Sequence, residues 1–239
     1  MRKTLTQTLL AAFYAILLAA PLEGGGVMSI YMRNAMLAGG GWKNPYVTDG
    51  LIAMWDGEWN AGPGVHDDSY AGVKDLIGSR DLSLVGTCDW SGGTANLPSA
   101  AYFVSNANPI EDFIGQIELT SACKGEIISL GSEYAFISYA GWVMCLTIGK
   151  AQYISNDYSR FALSVSYSNS TNATKAYVNN VNKLSGGGVS AHTYVQGGIG
   201  ISNIGYTMDF CSLRVYSRAL TAAEVAANYA VDKARFNLT

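Results

Sequence analysis

The length and composition of this chain exclude several kinds of protein. Of its 239 residues, 49% are hydrophobic, 14% are charged and 27 are glycines, a balance that is typical of a packed domain with many tight turns and excludes a disordered chain. The formal net charge of −3 leaves no basic surface for a phosphate backbone, so we expect no nucleic-acid partner.

Residues 1–46 are expected to form an arm, with an apolar helix and two glycine clusters, that precedes the folded domain. A positively charged start and an apolar run from Leu9 to Ala20 are the pattern of a secretory signal, although a membrane span needs about 20 apolar residues. Four apolar residues also recur at helical spacing, namely Leu5, Leu9, Phe13 and Ile16. That spacing is equally typical of a retained helix that docks on a partner. A signal, an anchor and a docking helix all stay open, and any membrane contact is assigned to this segment.

The folded domain is expected to span residues 47–239 and to begin with a strand and a long loop. Leu51 to Asp56 follows a Thr-Asp-Gly turn and predicts a strand, in which Trp55 shares its face with apolar residues and should be buried. The next segment, 57–68, is rich in glycine and polar residues, which indicates a surface loop. Binding residues concentrate on such loops, so this is the first place to expect a ligand.

The middle of the chain predicts many short strands separated by turns. Apolar or alternating runs with turn signals between them lie at 101–104, 113–119, 125–131, 135–138, 141–148 and 160–167, and residues 193–195 with 197–201 lead into the closing strand. Ala176 to Asn180 predicts a hairpin whose turn places Asn180 in the left-handed conformation that asparagine tolerates. Together with one C-terminal helix, these strands predict an all-β fold, a two-sheet antiparallel sandwich.

The C-terminal stretch predicts a last strand and a closing helix. Residues 211–216 alternate with the period of a half-buried strand, which places Cys211 on the core side with two apolar residues. Thr221 followed three residues later by Glu224 is a capping box, in which the hydroxyl and the carboxylate satisfy free amide donors at the start of a helix. A short helix should therefore follow and carry Val225 and Tyr229 toward the core.

This C-terminal stretch resembles the end of a laminin G-like jelly roll, part of the concanavalin A-like lectin and glucanase superfamily. Such ends contain a strand of the form apolar-Arg-apolar-Tyr, here Leu213 to Tyr216, then Arg-Ala-Leu-Ser/Thr, here Arg218 to Thr221, and an acidic helix that here contains Glu224. The resemblance implies a jelly roll with a short C-terminal helix. In it, Arg214, Arg218 and Glu224 are expected to be structural ties rather than site residues.

A second segment of the domain supports the same resemblance. Residues 74–82 resemble the Asp-Leu-Ser-Gly-Asn-Gly-x-Asp/Asn-Leu element near the start of these jelly rolls, with departures at Ile77 and Arg80. The resemblance therefore covers both ends of the domain. Domains of this kind occur in bacterial surface proteins and in phage virion proteins, which implies a location outside the cell, at the cell surface or in a virion.

No arrangement of residues in the sequence predicts catalysis. Glycoside hydrolysis needs two carboxylates that flank the bond, and the glucanases of the resembled superfamily supply them as Glu-x-Asp-x-x-Glu, a string that this chain lacks. The two histidines, His66 and His192, belong to no metal-binding or nucleophile motif. We therefore expect a non-catalytic protein, with glycoside hydrolysis as the weakest alternative.

The loop at 57–68 contains the residue types that a glycan site needs. Aromatic rings stack on sugar faces, and polar groups fix the hydroxyls. The candidates for these roles are Trp59, His66, Asp67 and Asp68. Carboxylate oxygens are also the ligands that calcium prefers, which makes calcium the one candidate cofactor, with Asp56, Asp67 and Asp68 as its ligands. The alternative is a solvated loop whose glycines and aspartates only form turns.

Two functions from different classes follow from these patterns. The first is a non-catalytic binding or adhesion module outside the cell that recognises a glycan or a protein surface. The second is a structural or decoration protein of a phage virion, whose N-terminal arm docks on the capsid or tail. Both functions are compatible with an oligomer.

Overall fold

The computed structural model describes most of the chain from residue 42 onward. The described ranges are 42–90, 94–98, 100–105, 116–123, 126–130, 133–139, 142–147, 150–155, 161–168, 173–187, 199–203 and 207–238. Between residues 106 and 206, side chains are described only for 161–166, 175–183 and residue 201. The expected N-terminal arm lies outside these ranges up to residue 41. The described part of the chain contains no helix that is long and apolar enough to cross a membrane.

Fifteen strands and one helix form within these ranges. In chain order the strands are β1 (Leu51–Asp56), β2 (Gly72–Val73), β3 (Leu82–Val85), β4 (Ala95–Leu97), β5 (Tyr102–Val104), β6 (Gln116–Cys123), β7 (Glu126–Leu130), β8 (Glu133–Tyr139), β9 (Trp142–Thr147), β10 (Lys150–Ser155), β11 (Phe161–Ser168), β12 (Ala173–Val178), β13 (Val181–Gly187), β14 (Ile199–Asn203) and β15 (Met208–Tyr216). The helix, α1, spans Ala222–Phe236. The prediction of a mostly β fold with a short C-terminal helix is confirmed.

The strands pair into two antiparallel sheets. In the first sheet the order is β1-β15-β6-β11-β12-β13, and β4 pairs with the first residues of β15. In the second sheet the order is β10-β9-β8-β7-β14-β5-β3-β2. One hydrophobic core draws side chains from both sheets, among them Trp55, Phe161 and Leu213 from the first and Phe103 and Ile201 from the second. The facing sides of the two sheets therefore bury each other's apolar residues.

The central strand β15 differs from its sequence prediction. Every residue of β15 except Asp209 is buried, whereas the alternating pattern predicted a strand with one exposed side. The reason is that α1 covers the side that faces away from the core, where Tyr216 packs against Val225. Cys211 also lies on the helix side, against Phe236, and not with the core residues as predicted. The pairing register of β15 with β6 shifts just beyond Phe210, which breaks the simple alternation.

Two local predictions are confirmed at the hairpin and at the helix start. Asn180 has a φ of 62°, the left-handed conformation expected of the turn between β12 and β13. At the start of α1, the amide of Glu224 donates to the Thr221 hydroxyl at 3.3 Å. The Glu224 carboxylate in turn accepts from the Thr221 amide at 2.8 Å. The capping box thus fixes the first turn of α1.

The edge of β1 that faces away from β15 is covered by residues of the 74–82 element. The amide of Met54 donates to the Asp75 carboxylate at 3.1 Å, and the Met54 carbonyl accepts from the amide of Leu76 at 2.8 Å. The Arg80 guanidinium donates to the Ile52 carbonyl at 3.2 Å. These bonds occupy backbone groups that an open edge strand would offer to another chain.

Candidate functional site

The chain between β1 and β2, residues 57–71, forms a loop that is fixed from inside by one buried asparagine. The side-chain amide of Asn60 donates to the Asp67 carbonyl at 2.8 Å, and its oxygen accepts from the Asp67 amide at 2.9 Å. The Asn60 carbonyl accepts from the amide of Lys74 at 2.8 Å. Gly62 and Gly64 have φ values of 140° and 70°, which allow the tight turn at the tip. The 57–71 loop therefore has a defined backbone without a regular strand or helix.

His66 joins the two ends of this loop. Its Nδ1 lies 2.8 Å from the backbone oxygen of Glu58, and its Nε2 lies 2.7 Å from Oδ1 of Asp68. The His66 ring also contacts Trp90 edge to face, with 6.1 Å between ring centroids. The side chain of His66 is 25% exposed and that of Asp68 is 74% exposed. We call the contacts of His66 with Glu58 and Asp68 the His66 bridge.

The carboxylates beside His66 are presented to solvent. Oδ1 of Asp67 accepts from the Ser69 hydroxyl at 2.6 Å and from the Ser69 amide at 2.8 Å. These two hydrogen bonds lower the pKa of Asp67, so its side chain is a carboxylate at neutral pH. The structure therefore brings together three of the predicted site residues, His66, Asp67 and Asp68.

Trp59 does not join this group, which corrects the expectation of an exposed ring for stacking on a sugar. The residue is 2% exposed because its amide donates to Asp56 at 3.2 Å and turns the chain back over the end of β1. The guanidinium of Arg235 lies 3.7 Å from the ring centroid, and Trp42 packs edge to face at 5.8 Å. The ring of Trp59 is part of the protein interior and has no face for a ligand.

Asp56 is also separated from the two loop aspartates, which corrects its assignment as a calcium ligand. It is fully buried, and both of its oxygens accept from Arg235, at 2.7 and 2.9 Å. Burial raises the pKa of Asp56, and Arg235 opposes that shift. Within the described residues, no group of three or more His, Cys, Asp or Glu side chains is placed to hold a metal ion. The predicted set of Asp56, Asp67 and Asp68 is therefore not assembled.

A buried polar network lies between α1 and the first sheet, directly beside the loop. Tyr46 donates to Asp232 at 2.7 Å and accepts from Arg235 at 2.7 Å. Asp232 also accepts from Arg214 at 3.0 Å. Arg235 reaches the loop as well, where it binds Glu58 at 2.8 Å. We call the set of Tyr46, Asp56, Glu58, Arg214, Asp232 and Arg235 the α1 network.

The α1 network was not predicted from the sequence. Tyr46, at the predicted border between the arm and the domain, is only 4% exposed. Arg235 contacts Tyr46 although 189 positions separate them in the chain. A local sequence pattern cannot predict such a contact. The available signal was the spacing of Val225, Asn228 and Asp232, which places all three on one buried side of α1.

A small cleft opens between α1 and the outer side of the first sheet. Its walls include Ala162, Ser164, Tyr177, Val225 and Tyr229. The free space inside it is about 10 Å³, which is room for about one water molecule. This cleft is too small for a sugar, so the exposed 57–71 loop is the better candidate site.

Comparison with known proteins identifies similar folds. No protein-family model matches the chain, and no curated protein matches it. Trypanosoma rangeli sialidase in complex with sialic acid is similar at a TM-score of 0.56 and 12% identity, over 85% of this chain and 37% of that one. The receptor-binding domain of botulinum neurotoxin mosaic serotype C/D is similar at 0.56 and 13%, over 77% and 51%. The binding domain of botulinum neurotoxin DC in complex with SialylT is similar at 0.55 and 10%, over 77% and 52%.

These likenesses show that the chain has a β-rich fold that also occurs in a sialidase and in botulinum neurotoxin binding domains. The chain spans about half or less of the length of each of these structures. At 10% to 13% identity the likeness concerns the course of the backbone, and function depends on the particular side chains of a site.

Proposed function

We propose that this chain is a non-catalytic binding module that recognises a glycan through the 57–71 loop, on the scaffold of a laminin G-like jelly-roll sandwich. The scaffold is supported by two sheets with a common core and by the C-terminal strand, turn and capped helix that resemble this family. That the ligand is a glycan of some kind is supported by similar structures that were solved with sialic acid and with SialylT. We propose that this binding takes place outside the cell or at the cell surface.

The observation that carries the proposal is the exposure of polar groups on a loop with a fixed backbone. His66, Asp67 and Asp68 stand together at the surface, and buried Asn60 holds the backbone beneath them. Groups that are already in place lose little conformational entropy when a ligand binds. Carboxylates accept hydrogen bonds from sugar hydroxyls, and such charge-assisted bonds are stronger than neutral ones.

The charge of the loop favours neutral glycans over sialylated ones. Asp67 and Asp68 are adjacent carboxylates, and the chain has a net charge of −3. A sialic acid carboxylate would be repelled by both groups, since like charges placed together at an interface are unfavourable. We therefore propose neutral sugars with several free hydroxyls as the ligand class, in contrast to the sialylated ligands of the similar structures.

Two buried carboxylates among the described side chains are not available for glycoside hydrolysis. Asp56 is bound by Arg235 and Asp232 by Arg214, and each of these four side chains is at most 1% exposed. Carboxylates that are held in this way have no access to a glycosidic bond, whereas glycoside hydrolysis requires two that flank it.

The test is glycan-array binding of the full chain, compared between two aspartate variants. Asp68→Ala removes a carboxylate of the loop and is expected to weaken binding about tenfold or more. Asp49→Ala is the matched control, because Asp49 is 83% exposed and its partner is Arg218, away from the loop. The control is expected to bind as the unmodified chain does. No signal from the unmodified chain, or equal losses in both variants, would contradict the proposal.

A further inference from the structure

Tyr70 is an aromatic residue of the 57–71 loop whose ring lies outside the hydrophobic core. Besides His66, the loop has two aromatic residues, Trp59 and Tyr70. Trp59 is 2% exposed, whereas Tyr70 is partly exposed. Tyr70 belongs to none of the hydrophobic clusters of the described residues, neither as a buried member nor as a residue packed against one. Core packing therefore explains the position of the Trp59 ring but not that of the Tyr70 ring.

The orientation of Tyr70 is fixed by hydrogen bonds at the backbone and at the end of the side chain. Its amide donates to the Asp67 carbonyl at 3.1 Å, and its carbonyl accepts from the Gly72 amide at 2.9 Å. The Tyr70 hydroxyl donates to the Asp81 carboxylate, which also accepts from the Asp75 amide at 3.0 Å. A ring that is held in place at both ends loses little conformational entropy when a ligand packs against it.

One face of the Tyr70 ring is adjacent to a cation. Nζ of Lys74 lies 5.5 Å from the ring centroid, which is within the cation–π range of about 6 Å. The Lys74 backbone is fixed as well, since its amide donates to the Asn60 carbonyl at 2.8 Å. None of the ring–ring contacts among the described side chains involves Tyr70. We therefore expect a ligand to approach the face of the ring that is opposite Lys74.

The same turn contains the ring and the two exposed carboxylates of the loop. The hydrogen bond from the Tyr70 amide to the Asp67 carbonyl closes the turn 67–70, and the Cα atoms at the ends of such a turn lie within about 7 Å of each other. Asp68 lies between them in the chain. Asn60 and the His66 bridge fix the backbone of this segment. An apolar ring and hydrogen-bond acceptors are thus available on one short surface segment, a combination typical of ligand sites.

We infer that Tyr70 is the stacking residue of the proposed glycan site and that the ligand is a pyranose with one face of C–H groups. This inference rests on the proposed function. The C–H face packs on the Tyr70 ring, and hydroxyls at the rim of the sugar donate to Asp67 and Asp68. Tyrosine suits this role because it offers a rigid, amphipathic contact surface at low entropic cost. Tyr70 thus takes the stacking role that the sequence pattern assigned to Trp59.

Two variants separate the aromatic ring from its hydroxyl. Tyr70→Phe and Tyr70→Leu both lose the hydrogen bond to Asp81, but only Tyr70→Leu also loses the flat ring. In calorimetric titration with a neutral glycan that the array identifies, Tyr70→Leu should bind about tenfold more weakly than Tyr70→Phe. Equal affinities of these two variants would overturn the inference. If Asp68→Ala still weakened binding in that case, the proposed function would stand, whereas no glycan binding by the unmodified chain would overturn both.

A second measurement uses the unmodified chain and so does not depend on the folding of a variant. Saturation of the aromatic protons of the protein should transfer by NMR to the bound glycan, most strongly to the C–H protons on one face of one sugar ring. Tyr70→Phe should keep this pattern. Equal transfer to both faces of every sugar ring in the unmodified chain would overturn the inference.

Discussion

The α1 network and the 57–71 loop lie side by side and share Glu58, yet their polar groups meet opposite environments. In the network, Arg235 and Asp56 are at most 1% exposed, and each is bound by several partners. In the loop, Asp67 and Asp68 face solvent. The same residue types therefore hold the fold together in one region and are available to a ligand in the other. Burial decides between these roles, because a buried charge must be paired.

The largest expected effect is on stability, from breaking the network. Arg235→Met keeps most of the side-chain volume but leaves Asp56 buried without its cation, and Glu58 loses the same partner. We expect the free energy of unfolding to fall by about 3–5 kcal/mol, measured by urea denaturation. Asp68→Ala in the loop is the contrasting variant and should change the free energy of unfolding by less than about 0.5 kcal/mol.

Similar free energies of unfolding in Arg235→Met and Asp68→Ala would contradict this difference between the two regions. A loss below about 1 kcal/mol in Arg235→Met would mean that the network contributes no more than a surface ion pair does. A large loss in Asp68→Ala would mean that the loop is a structural element like the network.

The next largest effect is expected at the edge of β1. The Asp75 carboxylate accepts from the amides of Met54, Ile77 and Arg80, at 3.1, 3.1 and 3.2 Å. Asp75→Ala leaves these donors without their acceptor and should lower the free energy of unfolding by about 2–3 kcal/mol. Asp75→Asn keeps one oxygen as an acceptor and should lower the free energy of unfolding by less than Asp75→Ala does. Equal losses in the two variants, in urea denaturation, would show that the hydrogen bonds to Asp75 are not what stabilises this edge.

The smallest expected effect is a pH dependence at the start of α1. Hydrogen bonds from Arg218 and from the Thr221 amide lower the pKa of Glu224 from 4.5 to about 2. Between these pH values the unfolded chain binds the proton more readily, so the stabilisation is complete above about pH 4.5 and is lost as the pH falls toward 2. The effect should be small because Glu224 and Arg218 are partly exposed.

The measurement for Glu224 is the difference in the free energy of unfolding between about pH 6 and pH 3. In Glu224→Gln this difference should be smaller than in the unmodified chain. An identical difference in the free energy of unfolding in both proteins would show that Glu224 does not cause the acid sensitivity.

Local sequence patterns predicted much of the fold. The Thr221 and Glu224 capping box and the left-handed Asn180 each depend on a few neighbouring residues, and both are present. The burial of both sides of β15 was not predictable in this way. It depends on α1 packing against β15, whereas the helix prediction turned Val225 toward the core without identifying the strand that the helix covers.

In the candidate site, too, local patterns were predicted correctly and contacts between distant residues were not. His66, Asp67 and Asp68 are adjacent in the chain, so a loop prediction was enough to bring them together. Trp59 was misassigned because glycine-rich surroundings suggested exposure, whereas Asp56 and Arg235 draw the ring inside. The role of Asn60 in fixing the loop backbone was also not predicted. An asparagine in a loop normally indicates a turn, and the hydrogen bonds of Asn60 with Asp67 form only in the folded loop.

Glycan binding by the 57–71 loop is tested most directly by mapping where a bound glycan contacts the chain. Amide NMR signals would be followed during titration with a neutral glycan selected from the array. We predict that the largest shifts fall in residues 57–71, with those of Val65 to Tyr70 first among them. Shifts confined to α1 or to the strands of either sheet, with the 57–71 loop unchanged, would contradict the assignment of glycan binding to this loop.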